Sequence, residues 1–157
     1  MIRSQSGTVG GAAPAFVSGF ARLVPAIGTQ RADLLLLISS RAGFACPITE
    51  AFELRPNEAS VDVSISEPTD GGAVVAGTYP IVRNQLNDVV VSAYRAPAVC
   101  PANLGDGIPV SGTVTITSLS NGASGTLTGQ LQGGEQVSVS FELPFCPIRG
   151  IGGRCVP

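Results

Sequence analysis

The four cysteines are the residues of this chain whose types and spacing most directly suggest chemistry. They are Cys46, Cys100, Cys146 and Cys155, and no C-x-x-C spacing occurs among them, so neither a redox motif nor a zinc ribbon is indicated. Proline directly follows the first three, and Pro-flanked positions are typical of strand exits rather than helix interiors. We expect two disulfides and an oxidising compartment, with reduced thiols in a cytosol as the alternative.

Four cysteines allow three disulfide pairings. A short Gly-rich run separates Cys146 from Cys155, so closing that loop costs little chain entropy. We therefore prefer Cys146 paired with Cys155 and Cys46 paired with Cys100, which makes residues 146–157 a Gly-rich tail tied by a disulfide. The other two pairings stay open, because a sequence does not fix connectivity.

Carboxylates are the main acid–base groups left, since the chain contains no His and no Lys. The absence of His excludes Ser–His and Cys–His nucleophiles and His-containing zinc sites. The absence of Lys excludes a Schiff base and a P-loop lysine. A glycosidase would need two carboxylates held close together. No pattern joins two of the candidates, so we predict no catalytic residues and a protein that is not an enzyme; the carboxylates considered are Glu50, Glu53, Asp62, Glu67 and Glu142.

Two loops carry oxygen ligands beside glycines, around Asp70 and around Asp106, a composition that a calcium ion can use. Neither is an EF-hand loop, and tight-turn chemistry explains the same residue types. We therefore predict no metal site and no cofactor, while calcium at Asp70 or Asp106 stays an open alternative.

Two other small groups have a functional and an ordinary interpretation. Tyr79 and Tyr94 could stack on a sugar, yet packing at the rim of a core explains two tyrosines without tryptophan equally well. Arg149 and Arg154 could grip an anion, but charges in a Gly-rich tail are usually solvated. We expect the ordinary interpretation in both cases.

Composition favours one domain over residues 1–157, with 44% hydrophobic and 13% charged residues and a net charge of -2. That charge gives no reason to expect nucleic acid or an anionic membrane as a partner. The longest apolar run, Leu34 to Ile38, is far shorter than the roughly 18 residues that span a bilayer.

Period-two alternation of apolar and polar residues is typical of strands with one buried face. It predicts about nine strands with little helix, and therefore an all-β domain, either a single antiparallel β-sandwich or a closed β-barrel. Asn121-Gly122 and Gly133-Gly134 predict two successive hairpins in the last third. The predicted core-facing residues are Val61, Val63, Ile65, Val114, Ile116, Leu127, Val137, Val139 and Phe141. The predicted strands are 15–23, 34–39, 48–54, 60–66, 78–83, 89–94, 113–119, 126–131 and 137–143.

Several short motifs resemble those of small secreted lipoproteins of high-GC Gram-negative bacteria. They are the opening 7–11, the strand end 39–46, Gly77-Thr78-Tyr79, the strand 111–116, and the run from Gly133 to Cys146. The resemblance implies an exported β domain with cysteines at strand ends. It implies no activity, because these lipoproteins have none assigned.

The residues before Gly7 lack the features of a signal peptide. We expect an exported protein of the periplasm, outer-membrane surface or extracellular space, whose signal segment is missing from this sequence, with a missing lipid-attachment cysteine as an open alternative. The expected function is a non-enzymatic interaction or structural module with a protein or envelope partner, including self-association through an edge strand. The alternative is a small-molecule or carbohydrate-binding β-barrel, which needs an apolar cavity of about 300 Å³ or more.

Overall fold

A computed structural model describes residues 6–9, 15–27, 31–40, 52–54, 58–67, 72–82, 89–95, 109–131, 134, 136–146 and 153–155. These residues form strands and connections, with no helix among them. The strands are β1 (Ser6–Val9), β2 (Ser18–Val24), β3 (Asp33–Ser39), β4 (Phe52–Leu54), β5 (Ala59–Ser66), β6 (Gly77–Val82), β7 (Val89–Arg95), β8 (Pro109–Ser118), β9 (Ala123–Leu131), β10 (Gln136–Leu143) and β11 (Gly153–Cys155).

Two antiparallel sheets carry the architecture. Sheet I has the order β1-β10-β9-β8-β6, and sheet II has the order β2-β3-β5-β7. Neither sheet closes on itself, so the fold is a β-sandwich and the closed-barrel alternative is wrong. The all-β prediction itself is confirmed.

The described strands outnumber the nine predicted, because β1 and β11 were not expected. β11 pairs with β4 in parallel, as a separate two-stranded ribbon. The predicted tail 146–157 therefore contains a strand, whose parallel pairing with β4 differs from the antiparallel pairing within the two sheets. Both strands have only three residues and lack a clear alternating pattern, which is why the sequence did not indicate their pairing.

The core lies between the inward faces of the two sheets. In sheet II, register places Leu36 of β3 opposite Val63 of β5, and Val63 opposite Val91 of β7. In sheet I, Val114 of β8 and Val139 of β10 both pair with Leu127 of β9. All nine residues predicted to face the core are at most 4% exposed, so the predicted register is confirmed.

The two predicted hairpins connect β8, β9 and β10. Gly122, in the first turn, has a φ of +152°, and an added Cβ there would collide with the carbonyl oxygen of Leu143. Gly134, in the second connection, has a φ of +86° with open space around it. Glycine is therefore favoured at both turns by conformation, and at Gly122 also by crowding.

Residues 144–146, which we call the bridging segment, connect sheet I to sheet II. After β10 ends at Leu143, the next residues leave sheet I and run beside β2, the edge of sheet II. The Ala21 amide donates to the Pro144 carbonyl at 2.8 Å, and the Cys146 amide donates to the Ala21 carbonyl at 2.7 Å. The middle of the β2 edge is thereby paired, which removes part of its capacity to recruit another strand.

Cys146 lies at the end of this bridging segment and is 3% exposed. Its sulfur is disulfide-bonded. Cys46, Cys100 and the side chain of Cys155 lie outside the described residues, so the preferred pairing stays a prediction.

Candidate functional site

The outward face of sheet I, which we call the hydroxyl face, is uniform in composition among the described residues. Alternation along β8, β9 and β10 turns Val, Ile, Leu and Phe to the core and small polar side chains to the outside. Its described members are Ser or Thr except Pro80, Gln130, Gln136 and Glu142, and Val82, opposite Ser111 at the β6 edge, has a side chain outside the described part of the chain. The Ser and Thr members are Ser6, Thr8, Thr78, Ser111, Thr113, Thr115, Thr117, Ser124, Thr126, Thr128, Ser138 and Ser140.

Strand register aligns these hydroxyls in rows. One row crosses all five strands through Ser6, Ser140, Thr126, Thr115 and Thr78. A second row runs beside it, two residues away along each strand, through Thr8, Ser138, Thr128, Thr113 and Pro80. Neighbouring strands lie about 4.8 Å apart, and alternate residues along a strand lie about 6.8 Å apart. The two rows therefore form a grid with a hydroxyl at every position except Pro80.

Hydrogen bonds between threonines fix part of this grid. The Thr78 and Thr115 hydroxyls lie 3.3 Å apart, and those of Thr113 and Thr128 lie 3.4 Å apart. Threonine is β-branched and stiff at χ1. The side chains of these four threonines are thus restricted before anything binds to them.

A surface depression of about 410 Å³ adjoins the grid where β8 turns into β9. Its polar lining includes Ser118, Asn121, Ser124 and Glu142. Glu142 carries the only charge among the described side chains of the hydroxyl face. The depression has the size of a ligand site, but its lining is not the apolar wall that the alternative small-molecule function requires.

Sheet II presents a different outward surface. At the end of the sheet where β3 ends and β5 begins, a group that we call the outer patch is almost inaccessible. Ser18, Phe20, Leu37, Ser39 and Ser60 are at most 2% exposed, although they face away from the sandwich core. Both faces of β3 are therefore buried here, as its unbroken run of leucines allows.

Asp62 also belongs to the outer patch, opposite Leu37 in the β3–β5 register; the residue is partly exposed, whereas its Oδ1 atom is buried. Burial raises the pKa of its carboxyl to about 7, because desolvation disfavours the charged form. Asp62 Oδ1 and the neighbouring Ser60 Oγ are buried with no hydrogen-bond partner among the described residues. By contrast, Asp33 near the other end of this face accepts a hydrogen bond of 2.6 Å from the Ser66 hydroxyl.

The carboxylates considered from the sequence do not form a pair among the described residues. Asp62 and Glu67 are five residues apart, which is about 16 Å along an extended strand. Glu142 lies on the opposite sheet. Glu50 and the side chain of Glu53 lie outside the described residues.

Tyr79 is partly buried against the core, as the packing interpretation predicts, and its hydroxyl donates to the Val75 carbonyl at 2.6 Å. The side chain of Tyr94 is outside the described part of the chain, as are Asp70, Asp106, Arg149 and the side chain of Arg154. The calcium and anion alternatives are therefore untested. No group of three or more His, Cys, Asp or Glu side chains able to hold a metal occurs among the described residues.

Sequence reasoning missed the burial around Asp62, which we had expected to face solvent like other surface charges. The signal was the run from Leu34 to Ile38, which breaks the period-two pattern. A strand that is apolar on both faces is buried on both faces. Among the described residues no helix is long and apolar enough to span a membrane.

Comparisons with known proteins found no match among family models, curated proteins or solved structures.

Proposed function

We propose that this protein is a non-enzymatic, exported interaction module that acts through the hydroxyl face. The observation that carries the proposal is the contrast between an interior filled by apolar side chains and this wide exterior, whose described side chains include a single charge. Apolar side chains from both sheets fill the space between them. A protein of this kind acts through its surface rather than through an internal pocket.

Exposed apolar residues give weaker support for a different surface. Val17, Leu23 and Ile27 lie on or beside β2, and they are between 42% and 68% exposed. Scattered exposed residues of this type are normal on soluble domains. The pairing of Ala21 with the segment after β10 also occupies the middle of that edge.

The alternative function, a small-molecule binder, no longer has a barrel mouth in which to place its ligand. The depression of about 410 Å³ beside Glu142 is its best remaining site. Its largely polar lining makes the interaction module the better supported of the two functions.

The proposed location outside the cytoplasm rests on the cysteines. The disulfide at Cys146 supports an oxidising compartment, since disulfides are rare in most cytosols. Mass spectrometry with alkylation, before and after reduction, tests this part of the proposal. Two disulfides predict no alkylated cysteine before reduction and four after it, whereas four thiols in protein made in an oxidising compartment would exclude disulfides and the export argument.

The interaction itself is tested by capture from envelope extract with the purified protein, together with its mass in solution. We expect retention of a macromolecule, and loss of that retention when the hydroxyl face is altered. A monomer that captures no macromolecule but keeps a small ligand through purification would favour the alternative function.

A further inference from the structure

From the hydroxyl face and its adjoining depression we infer a binding site for a neutral polysaccharide. This inference rests on the proposed function, because it names the class of partner for the same surface. A polymer is indicated rather than a free sugar, since the two rows repeat the same groups across all five strands of sheet I.

The chemistry of the side chains selects the ligand. Each hydroxyl can donate one hydrogen bond and accept others, so the grid matches a partner whose groups also do both, as sugar hydroxyls do. An anionic polymer or a lipid phosphate would need Arg or Lys. The described side chains of this face include neither, so a nucleic acid, an acidic glycan or an anionic membrane would gain no charge attraction here.

The outward surface of sheet II shows that charge is not excluded from this protein in general. Arg22, Asp33 and Asp62 all lie on that side. Solubility alone does not require the hydroxyl face to be uncharged, because interspersed charges are the usual way to keep a surface soluble. The uniform composition of the hydroxyl face therefore fits a binding role better than a merely solvated one.

Stiffness and repetition make weak contacts sufficient. Binding costs little side-chain entropy where χ1 is already restricted. Within each of two threonine pairs, Thr78 with Thr115 and Thr113 with Thr128, the hydroxyls are already hydrogen-bonded. A single hydroxyl contact contributes little over water, but a chain that meets many positions binds with a raised effective concentration at each one.

The depression adds a position where a sugar ring can sit below the level of the grid. Its lining combines the Asn121 amide, the Ser118 and Ser124 hydroxyls and the Glu142 carboxylate. Amide and carboxylate groups accept hydrogen bonds from vicinal hydroxyls, and the amide also donates. We therefore place the strongest single contact of the polysaccharide at this end of the grid.

The experiment measures retention of the full chain on cellulose, chitin and starch granules, with alginate beads as the anionic comparison. We expect saturable binding to at least one neutral polymer, unchanged by salt up to about 0.5 M because no ion pair is involved. The test variant replaces Thr113, Thr115, Thr126 and Thr128 by Val, which keeps the β-branched shape and removes the hydroxyls. Its affinity should fall at least tenfold, whereas the matched variant with Ser at the same positions should stay within about threefold of the original.

A second variant, Ser124→Ala with Glu142→Ala, tests the depression should the valine variant fail to fold, and it too should weaken binding at least tenfold. Binding that survives both variants, or binding to alginate alone, would overturn the polysaccharide site. Capture of a protein through the same face without retention on any neutral polymer would reject this inference and leave the proposed function standing. If the protein neither captures a macromolecule nor binds a neutral polymer, both this inference and the proposed function are rejected. Arrest of ice growth without polymer binding would reject the polysaccharide site and assign the grid to ordered water.

Discussion

The outward faces of the two sheets differ more than any other two regions of the molecule. The hydroxyl face of sheet I is accessible, regular and nearly uncharged. The outer patch of sheet II is almost inaccessible and contains two polar atoms without described partners, on Ser60 and Asp62. β10 of sheet I and β5 of sheet II nevertheless show the same period-two alternation of burial.

This difference teaches that alternation identifies which side of a strand faces the core but not what covers the other side. Thr126 and Asp62 occupy equivalent positions, each pointing away from the sandwich interior. The first meets solvent, whereas the second is desolvated enough for its pKa to rise to about 7. The outer patch therefore combines a cost in stability with a dependence of stability on pH.

Phe20→Ala tests the burial of the outer patch and should have the largest effect. Phe20 is 1% exposed, and removing a buried phenyl ring destabilises a protein by about 3 to 5 kcal/mol. Thr126→Val on the hydroxyl face should change stability by less than about 0.5 kcal/mol. Urea denaturation of both variants measures the difference, and a loss below about 1 kcal/mol at Phe20 would contradict the burial of the patch.

Asp62→Asn should raise stability at alkaline pH by about 1 to 3 kcal/mol. Folding raises the pKa from 3.8 to about 7, so the folded protein holds this proton more tightly than the unfolded chain. The stability contribution is therefore complete below about pH 4, falls as the pH rises from 4 to 7, and stays low above 7. Each pKa unit corresponds to about 1.4 kcal/mol, and the buried amide of the variant offsets part of the gain.

Thermal denaturation at pH 4 and pH 8 measures this effect. The variant should match the original protein at pH 4 and exceed it at pH 8. Ser64→Ala, two residues further along β5, is the control and should behave alike at both values. Equal melting temperatures of Asp62→Asn and the original protein at pH 8 would show that Asp62 is not desolvated.

Gly122→Ala and Gly134→Ala compare the two turns that hold the hydroxyl face together. At Gly122 the new Cβ meets the Leu143 carbonyl oxygen and φ is +152°, whereas at Gly134 only the φ of +86° opposes it. We expect losses of about 2 and about 1 kcal/mol, respectively. Chemical denaturation curves measure both, and a larger loss at Gly134 would contradict the crowding at the first turn.

Ser60→Ala should have the smallest effect and, like Asp62→Asn at alkaline pH, should stabilise the protein. Its hydroxyl is buried without a described partner, so removing it relieves a desolvation cost and stabilises the protein by up to about 1 kcal/mol. Ser140→Ala on the exposed hydroxyl face should stay within about 0.5 kcal/mol of zero. A clear loss of stability at Ser60, measured by the same denaturation experiment, would show that its hydroxyl is bonded.

The sequence allowed prediction of the strands and their core-facing residues, because alternation directly reflects one-sided burial. It also placed the threonines of β8 on the outward side through the pattern Thr113, Thr115, Thr117. It did not predict that these hydroxyls align with those of β10 and β1. That alignment depends on long-range register and on the irregularities in β8 near Ser111 and Ser118, which alternation within one strand does not encode.

The candidate site was less predictable than the fold. Period-two reasoning gave Asp62 its correct direction but not its environment, because alternation within a strand does not encode what covers the outward face. The preferred disulfide pairs and the loops of Asp70 and Asp106 stay predictions. Their conformations depend on connections that carry no periodic signal.

The bridging segment after β10 joins the two sheets along one side of the sandwich. Two backbone hydrogen bonds connect Ala21 of β2 to Pro144 and Cys146 of this segment. The sheets cannot separate along that side without breaking both hydrogen bonds. Among the described residues no backbone hydrogen bond joins β6 to β7 on the far side. Transient opening of the sandwich should therefore start between β6 and β7 and admit water next to Ile81 and Val89. The amides of Ala21 and Cys146, at the bridging segment, should exchange their hydrogens last.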